Sequence, residues 1–288
     1  MTSSPVSAPL AKAPIVTRFA PSPNGPLHLG HAYSAIVAHD LARAQGGEFL
    51  LRIEDIDGPR SRAELADEFR RDLEWLGLEW REVPAQSQRL ARYEAAAAEL
   101  VDRGLAYPCT LTRKQIAALP ARKGEDGLAY PGCPRDHQKP AQTDSAQPSA
   151  LRLDIDRAMA EMGEIYWHDA HAGAVRADPR SHGDVVIVRK DLPASYHLAV
   201  TLDDADDGVT LVARGRDLFD ATHIHRLLQA LFDLPVPKYH HHALLLDEQG
   251  EKLAKRRGSP ALSDRRKSAE DGLMLAEQLR LQILEVGT

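Results

Sequence analysis

The chain has 288 residues, 43% hydrophobic and 27% charged, which suits one large domain with an insertion or two moderate ones, and is ordinary for a soluble globular protein. Its formal charge of −6 disfavours a non-specific nucleic-acid coat but leaves room for an enzyme with a local basic patch. Two cysteines, Cys109 and Cys133, argue against a disulfide-stapled secreted fold, and no apolar run reaches membrane-spanning length, so we expect a cytoplasmic protein with no membrane partner.

Residues 1–14, MTSSPVSAPLAKAP, lack the apolar core of a secretory signal and are expected to form a disordered lead-in. A strand is expected over IVTRFA, residues 15–20, and a helix over AYSAIVAHDLARAQ, which has helical apolar spacing. Between them lies PSPNGPLHLGH, residues 21–31. EFLLRIE, residues 48–54, is short and apolar enough for a buried strand, and the turn DIDGPR follows. Ser61 and Glu64 have capping-box spacing before the helical RAELADEFRRDLEWLGL. A further helix covers SQRLARYEAAAAELVDRG, with Gly104 as its stop. This β-α-β-α order points to an α/β doubly wound parallel sheet, whose ligands bind beyond the carboxyl ends of the strands.

From 106 to 183 proline, glycine and polar residues dominate, and 139–149 reads as loop, so this section is expected to be an insertion subdomain between two halves of one sheet. The halves are then 15–105 and 184–260, with 261–288 as a C-terminal tail. The second half carries the regular segments DVVIVRK and SYHLAVTLDDADDG, the strand-like VTLVARG, the helical ATHIHRLLQALF and the strand-like HHALLLD. It ends in EKLAKRRG, where four of eight residues are cationic. By itself that run is a solvated basic turn.

The stretch at 21–31 places His28 and His31 at a helix N-terminus, where unpaired N–H groups and the helix dipole favour an anion. Gly25 and Gly30 admit close approach to the backbone there. With the cations of EKLAKRRG supplying the other side, the chemistry suggested is that of a polyphosphate site. The triple run His240-His241-His242 cannot converge on one metal because strand side chains alternate faces. His223 and His225, two apart, are equally poor chelators. Both groups are expected at the surface or behind the site.

These motifs resemble the signatures of the class I aminoacyl-tRNA synthetases. His28-Leu29-Gly30-His31 resembles their HIGH motif and Lys252 to Arg256, KLAKR, their KMSKS motif, with Ala254 in place of the serine. RFAPSPNGPLHLGHA, RIEDIDGPR and VARGRDL resemble the glutamyl-tRNA synthetase branch. The 32 residues beyond Arg256 lead us to expect no anticodon-binding domain, as in the family of glutamyl-Q tRNA(Asp) synthetases, truncated paralogues of that branch.

The resemblance implies a Rossmann-type catalytic domain that activates glutamate with ATP and Mg²⁺ without tRNA. It implies transfer of glutamate to the queuosine base at the wobble position of tRNA(Asp). His28 and His31, with Gly30, would bind ATP; Lys252 and Lys255 would neutralise the departing pyrophosphate. Arg18, Ala20, Ser22, Glu54, Tyr196 and Arg214 would hold glutamate, the two arginines on carboxylate, Glu54 on the ammonium and Tyr196 through its hydroxyl. The family commonly carries a zinc site built on Cys-x-Cys, then Tyr and Cys. Here the candidates are Cys109, Tyr130 and Cys133, and Leu111 replaces a ligand. Since structural zinc takes four ligands, Cys109 and Cys133 are expected as free thiols, with zinc the alternative and His137 a substitute ligand without a supporting pattern. Three other functions stay open: a minimal glutamyl-tRNA synthetase, a non-catalytic glutamate-binding paralogue, and a nucleotidyltransferase sharing only the HxGH site.

Overall fold

The computed structural model describes residues 14–111, 114–115, 122–124, 127–129, 149–245 and 260–286. Strand β1 (Val16–Phe19) passes through a proline-rich loop into helix α1 (Leu29–Arg43), and the chain returns along β2 (Glu48–Leu51). Helix α2 (Ala63–Trp75) leads to β3 (Arg81–Glu82), and α3 (Leu90–Asp102) to β4 (Ala106–Cys109). A hairpin follows, β5 (Arg122–Gly124) with β6 (Gly127–Ala129), then β7 (Ala150–Leu153) and α4 (Ile155–Met162). After them come β8 (Tyr166–Asp169), β9 (Gly173–Arg176) and β10 (Val186–Val188). The last part is α5 (Tyr196–Asp206), β11 (Leu211–Gly215), α6 (Ala221–Leu231), β12 (Lys238–His242), α7 (Leu262–Lys267) and α8 (Gly272–Val286).

β1 pairs in parallel with β2, and β2 with β3; β11 pairs in parallel with β12, and β12 with β8. The two groups meet at β1, where the Thr210 N–H donates to the Val16 carbonyl at 3.0 Å and the Val16 N–H to Thr210 Oγ1 at 2.9 Å. The order is therefore β3-β2-β1-β11-β12-β8-β9, with the order of winding, not the strand direction, reversing between β1 and β11. That is the switch point at which doubly wound sheets bind their ligands.

The period of two along each strand divides the core between the two faces. Phe49 and Leu51 join Phe19, Ile36 and Phe69 under α1, α2 and α8. Leu50 and Val212 join Tyr93, Leu198 and Ile224 under α3, α5 and α6. Arg52 and Glu54 continue the Leu50 side, and Arg18 on β1 points the same way, toward α5. Among the described residues no helix is long and apolar enough to cross a membrane.

Two pairings run across the boundaries suggested by the sequence. β8, within 106–183, adds to the parallel sheet through Tyr239↔Asp169. β10, beyond 183, pairs antiparallel with β7, which also pairs with β4. The expected capping box at Ser61 does not form: Arg62 is the N-cap of α2, with no side-chain cap bond. The reason lies in the preceding turn, which Ser61 closes through its N–H to the Gly58 carbonyl, while Arg62 N–H is drawn to the Pro23 carbonyl at 2.9 Å. Gly104, at φ +65°, ends α3 as expected.

Candidate active site

A cleft of about 510 Å³ opens where β1 and β11 end. His28, not one of the usual cap residues, is the N-cap of α1. Its Nδ1 accepts the Gly30 N–H at 3.1 Å, and Nδ1 of His31 accepts the His28 N–H at 3.2 Å. Both Nδ1 atoms are thus acceptors, so in the neutral rings the proton sits on Nε2 of each. The rings lie 3.9 Å apart. Two imidazole N–H donors at one helix N-terminus suit a phosphate chain.

Lys252 and Lys255 lie outside the described residues. The described chain on either side of them is at the cleft. Leu244 and Leu245 line it, and beyond it Leu262 N–H donates to the Leu27 carbonyl at 2.9 Å while Ala261 bridges to His28.

The other expected residues, Arg18, Ala20, Ser22, Glu54, Tyr196 and Arg214, line the same cleft as His28, Gly30 and His31. Arg18 is buried, its Nε donating to Asp204 Oδ1 at 2.9 Å. Arg52, wholly buried, donates to the same oxygen at 2.9 Å, to Asp207 at 2.9 Å and to Glu54 at 3.3 Å. Burial tends to raise the Asp204 carboxyl, but the two guanidinium groups outweigh it and hold the group below its ordinary value. Glu54 goes the other way: burial pushes it up to about 7 against the pull of Arg52 and Arg18. Asp203 closes the cluster, accepting from the Tyr93 hydroxyl at 2.8 Å and from Gln86 at 2.8 Å.

Arg214, at the end of β11, is surrounded differently. It donates to His241, Tyr196, Thr222 and His225, all at 3.3 Å or less. His225 and His241 are therefore buried partners of Arg214, behind the site and not at the surface, the second of the two placements expected for them. Their pKa values fall through burial and the Arg214 cation, to about 4 for His241 and well below the ordinary value for His225. The strand alternation holds: His241 faces Arg214, while His242 turns to Ser34 at 3.0 Å and lines the cleft. The half-buried His240 packs on His171. The half-buried His223 accepts the Asp178 N–H at 3.2 Å.

Of the metal candidates, Tyr130 and Cys133 lie outside the described residues, as does His137. Cys109 is buried on β4 beside Leu111 and Tyr107 in a small apolar cluster. Among the described residues no group of three or more His, Cys, Asp or Glu is arranged to hold a metal ion.

A parallel sheet with its switch point at β1 and β11, and an HxGH turn capping the first crossover helix, is the arrangement of a class I synthetase catalytic domain, shared at the HxGH site with nucleotidyltransferases. Comparison with known proteins carries this further. Residues 14–283 match the family of tRNA synthetases class I (E and Q), catalytic domain, and the chain belongs to that family. It is similar to the glutamyl-Q tRNA(Asp) synthetase of Rhodobacter capsulatus, 50% identical over 260 residues, 86% of this chain and 94% of the relative. It is likewise similar to that of Deinococcus radiodurans, 42% identical over 271 residues, 91% of this chain and 87% of the relative.

Among solved structures, a glutamate tRNA ligase from Elizabethkingia meningosepticum, in complex with its amino acid, superposes with a TM-score of 0.69 at 26% identity. A glutamate-tRNA synthetase from Elizabethkingia anophelis gives 0.68, also at 26%. The match covers 85% of this chain in both cases, but only 52% and 53% of those longer chains.

Proposed function

We propose that this protein activates glutamate with ATP, without tRNA, and transfers it to the queuosine base at the wobble position of tRNA(Asp). One observation carries the reading: a single cleft joins the imidazole pair at the α1 N-terminus to two buried guanidinium groups, a buried carboxyl and a tyrosine hydroxyl. The relatives named glutamyl-Q tRNA(Asp) synthetase support the choice of acceptor.

In the first step a glutamate α-carboxylate oxygen attacks the α-phosphorus of ATP. The new acyl–phosphate bond forms as the α–β bridging bond breaks, and pyrophosphate departs with the electron pair. No protein nucleophile is needed, so the residues contribute alignment and charge stabilisation. Arg214 and Arg18 hold carboxylate, Glu54 the ammonium and Tyr196 a hydrogen bond, with Ala20 and Ser22 alongside. The Nε2–H groups of His28 and His31 donate to phosphate oxygens, with Gly30 giving the chain room to approach. Lys252 and Lys255 neutralise pyrophosphate, and Mg²⁺ accompanies ATP as part of that substrate. In the second step a hydroxyl of the queuosine cyclopentenediol attacks the carbonyl carbon; its proton is lost and AMP leaves.

ATP–pyrophosphate exchange tests the first step. Exchange with glutamate, and not with aspartate or glutamine, is expected in the absence of tRNA. No exchange at saturating substrates would favour a non-catalytic glutamate-binding protein.

A further inference from the structure

Arg214 is a buried guanidinium with no carboxylate among its hydrogen-bond partners in the described residues, whereas Arg18 and Arg52 are both held by acidic groups. Its Nε donates to His241 Nε2 at 3.1 Å, its Nη1 to the Tyr196 hydroxyl at 3.3 Å and to His225 Nδ1 at 3.2 Å, and its Nη2 to Thr222 Oγ1 at 2.6 Å. A guanidinium has five N–H donors and no acceptor, so each partner must offer it a lone pair. A neutral imidazole offers one on a single nitrogen, chosen by its tautomer.

At His241 that choice is made from the far side. Its Nδ1 is 2.8 Å from Oδ2 of Asp169, a buried carboxylate at the end of β8 that requires an N–H there. The other oxygen, Oδ1, accepts the N–H groups of His171 and Ala172, each at 2.9 Å, which fixes the carboxylate in place. Oδ2 also faces the His241 N–H at 3.3 Å. Asp169 itself does not line the cleft.

We propose that Asp169 is a positioning residue for the amino-acid substrate: by fixing His241 as its Nδ1–H tautomer, it turns the Nε2 lone pair to Arg214 and aims the guanidinium at the substrate carboxylate. The inference rests on the reading of Arg214 given under Proposed function. Four of the five guanidinium N–H groups are occupied by neutral partners, and one on Nη2 has no partner among the described residues. The carboxylate charge stays two groups away, where it orients the cation without neutralising it by contact.

Asp169→Asn separates positioning from folding. The asparagine Oδ1 still accepts from His171 and Ala172, but its amide N–H₂ meets His241 Nδ1, which must then accept, and loses the long contact to the His241 main-chain N–H. The ring proton moves to Nε2, where it opposes the Arg214 Nε–H and has only Thr222 Oγ1, at 3.2 Å, as an acceptor. In ATP–pyrophosphate exchange the glutamate KM should rise about tenfold while the ATP KM stays within about twofold. In a His241→Gln background, which has no ring tautomer to set, adding Asp169→Asn should change the glutamate KM by less than about twofold.

The ¹⁵N imidazole spectrum of the full chain reads the tautomer directly. His241 should carry its proton on Nδ1 in the wild type and on Nε2 in Asp169→Asn. A wild-type ring protonated on Nε2 would overturn the proposal, as would a glutamate KM unmoved by Asp169→Asn or one that rises together with the ATP KM. A wild type with no glutamate-dependent exchange would count against the functional reading instead, and the imidazole spectrum would still decide whether Asp169 sets the tautomer.

Discussion

Arg18 on β1 and Asp204 on α5 are 186 residues apart in sequence and 2.9 Å apart in space. The same Asp204 oxygen receives Arg52 at 2.9 Å, so one carboxylate holds two buried guanidinium groups. Removing it takes from Arg18 its one carboxylate partner among the described residues, while Arg52 keeps Asp207 and Glu54; breaking a buried pair on one side costs roughly 3–5 kcal/mol. Asp204→Ala should therefore lower unfolding stability by about that amount in urea titration. It should also raise the glutamate KM, since Arg18 lines the cleft. A loss below about 1 kcal/mol would show that the pairing contributes little.

Glu54 gives a pH dependence of definite sign. Burial raises its pKa to about 7, above the ordinary carboxylate value. The folded state thus keeps its proton longer than the unfolded chain does. The associated stability is fully present below the unfolded pKa and is lost as pH rises through about 7. Substrate binding has the opposite trend, because an ammonium pairs with the ionised carboxylate. The glutamate KM should fall as pH rises from about 6 to about 8, and Glu54→Gln should raise it and flatten the trend. A KM that is flat in the wild type, or equally pH-dependent in the variant, would remove Glu54 from this role.

How far sequence reasoning reached follows from the range of the interactions. The β1 to α1 turn could be read because strand, proline loop and helical spacing are contiguous, and so could the convergence of Arg18, Glu54, Tyr196 and Arg214, each embedded in a motif. The buried cluster of Arg52, Asp203 and Asp204 could not. DDADD looks like a solvated helix end, and the Arg52–Asp204 contact spans 152 residues. The roles of His225 and His241 were hidden likewise. Strand alternation separated His241 from its neighbours, but only the register Arg214↔His241 shows that it faces the guanidinium. The Ser61 capping box failed because a local motif lost to the turn before it.

Lys255 tests the assignment of the basic loop. Its charge is expected to act on the departing pyrophosphate, so Lys255→Ala should lower kcat of exchange by about a hundredfold or more with the glutamate KM little changed. Near-normal kcat would detach KLAKR from the chemistry.

Transfer of radiolabelled glutamate identifies the acceptor. Three RNAs are compared: tRNA(Asp) with queuosine, tRNA(Asp) without it, and tRNA(Glu). Label is expected on the queuosine-containing tRNA(Asp) alone, with transfer weakening as salt rises because phosphate contacts are screened. Label at the 3′ end of tRNA(Glu), or on tRNA(Asp) lacking queuosine, would contradict that acceptor.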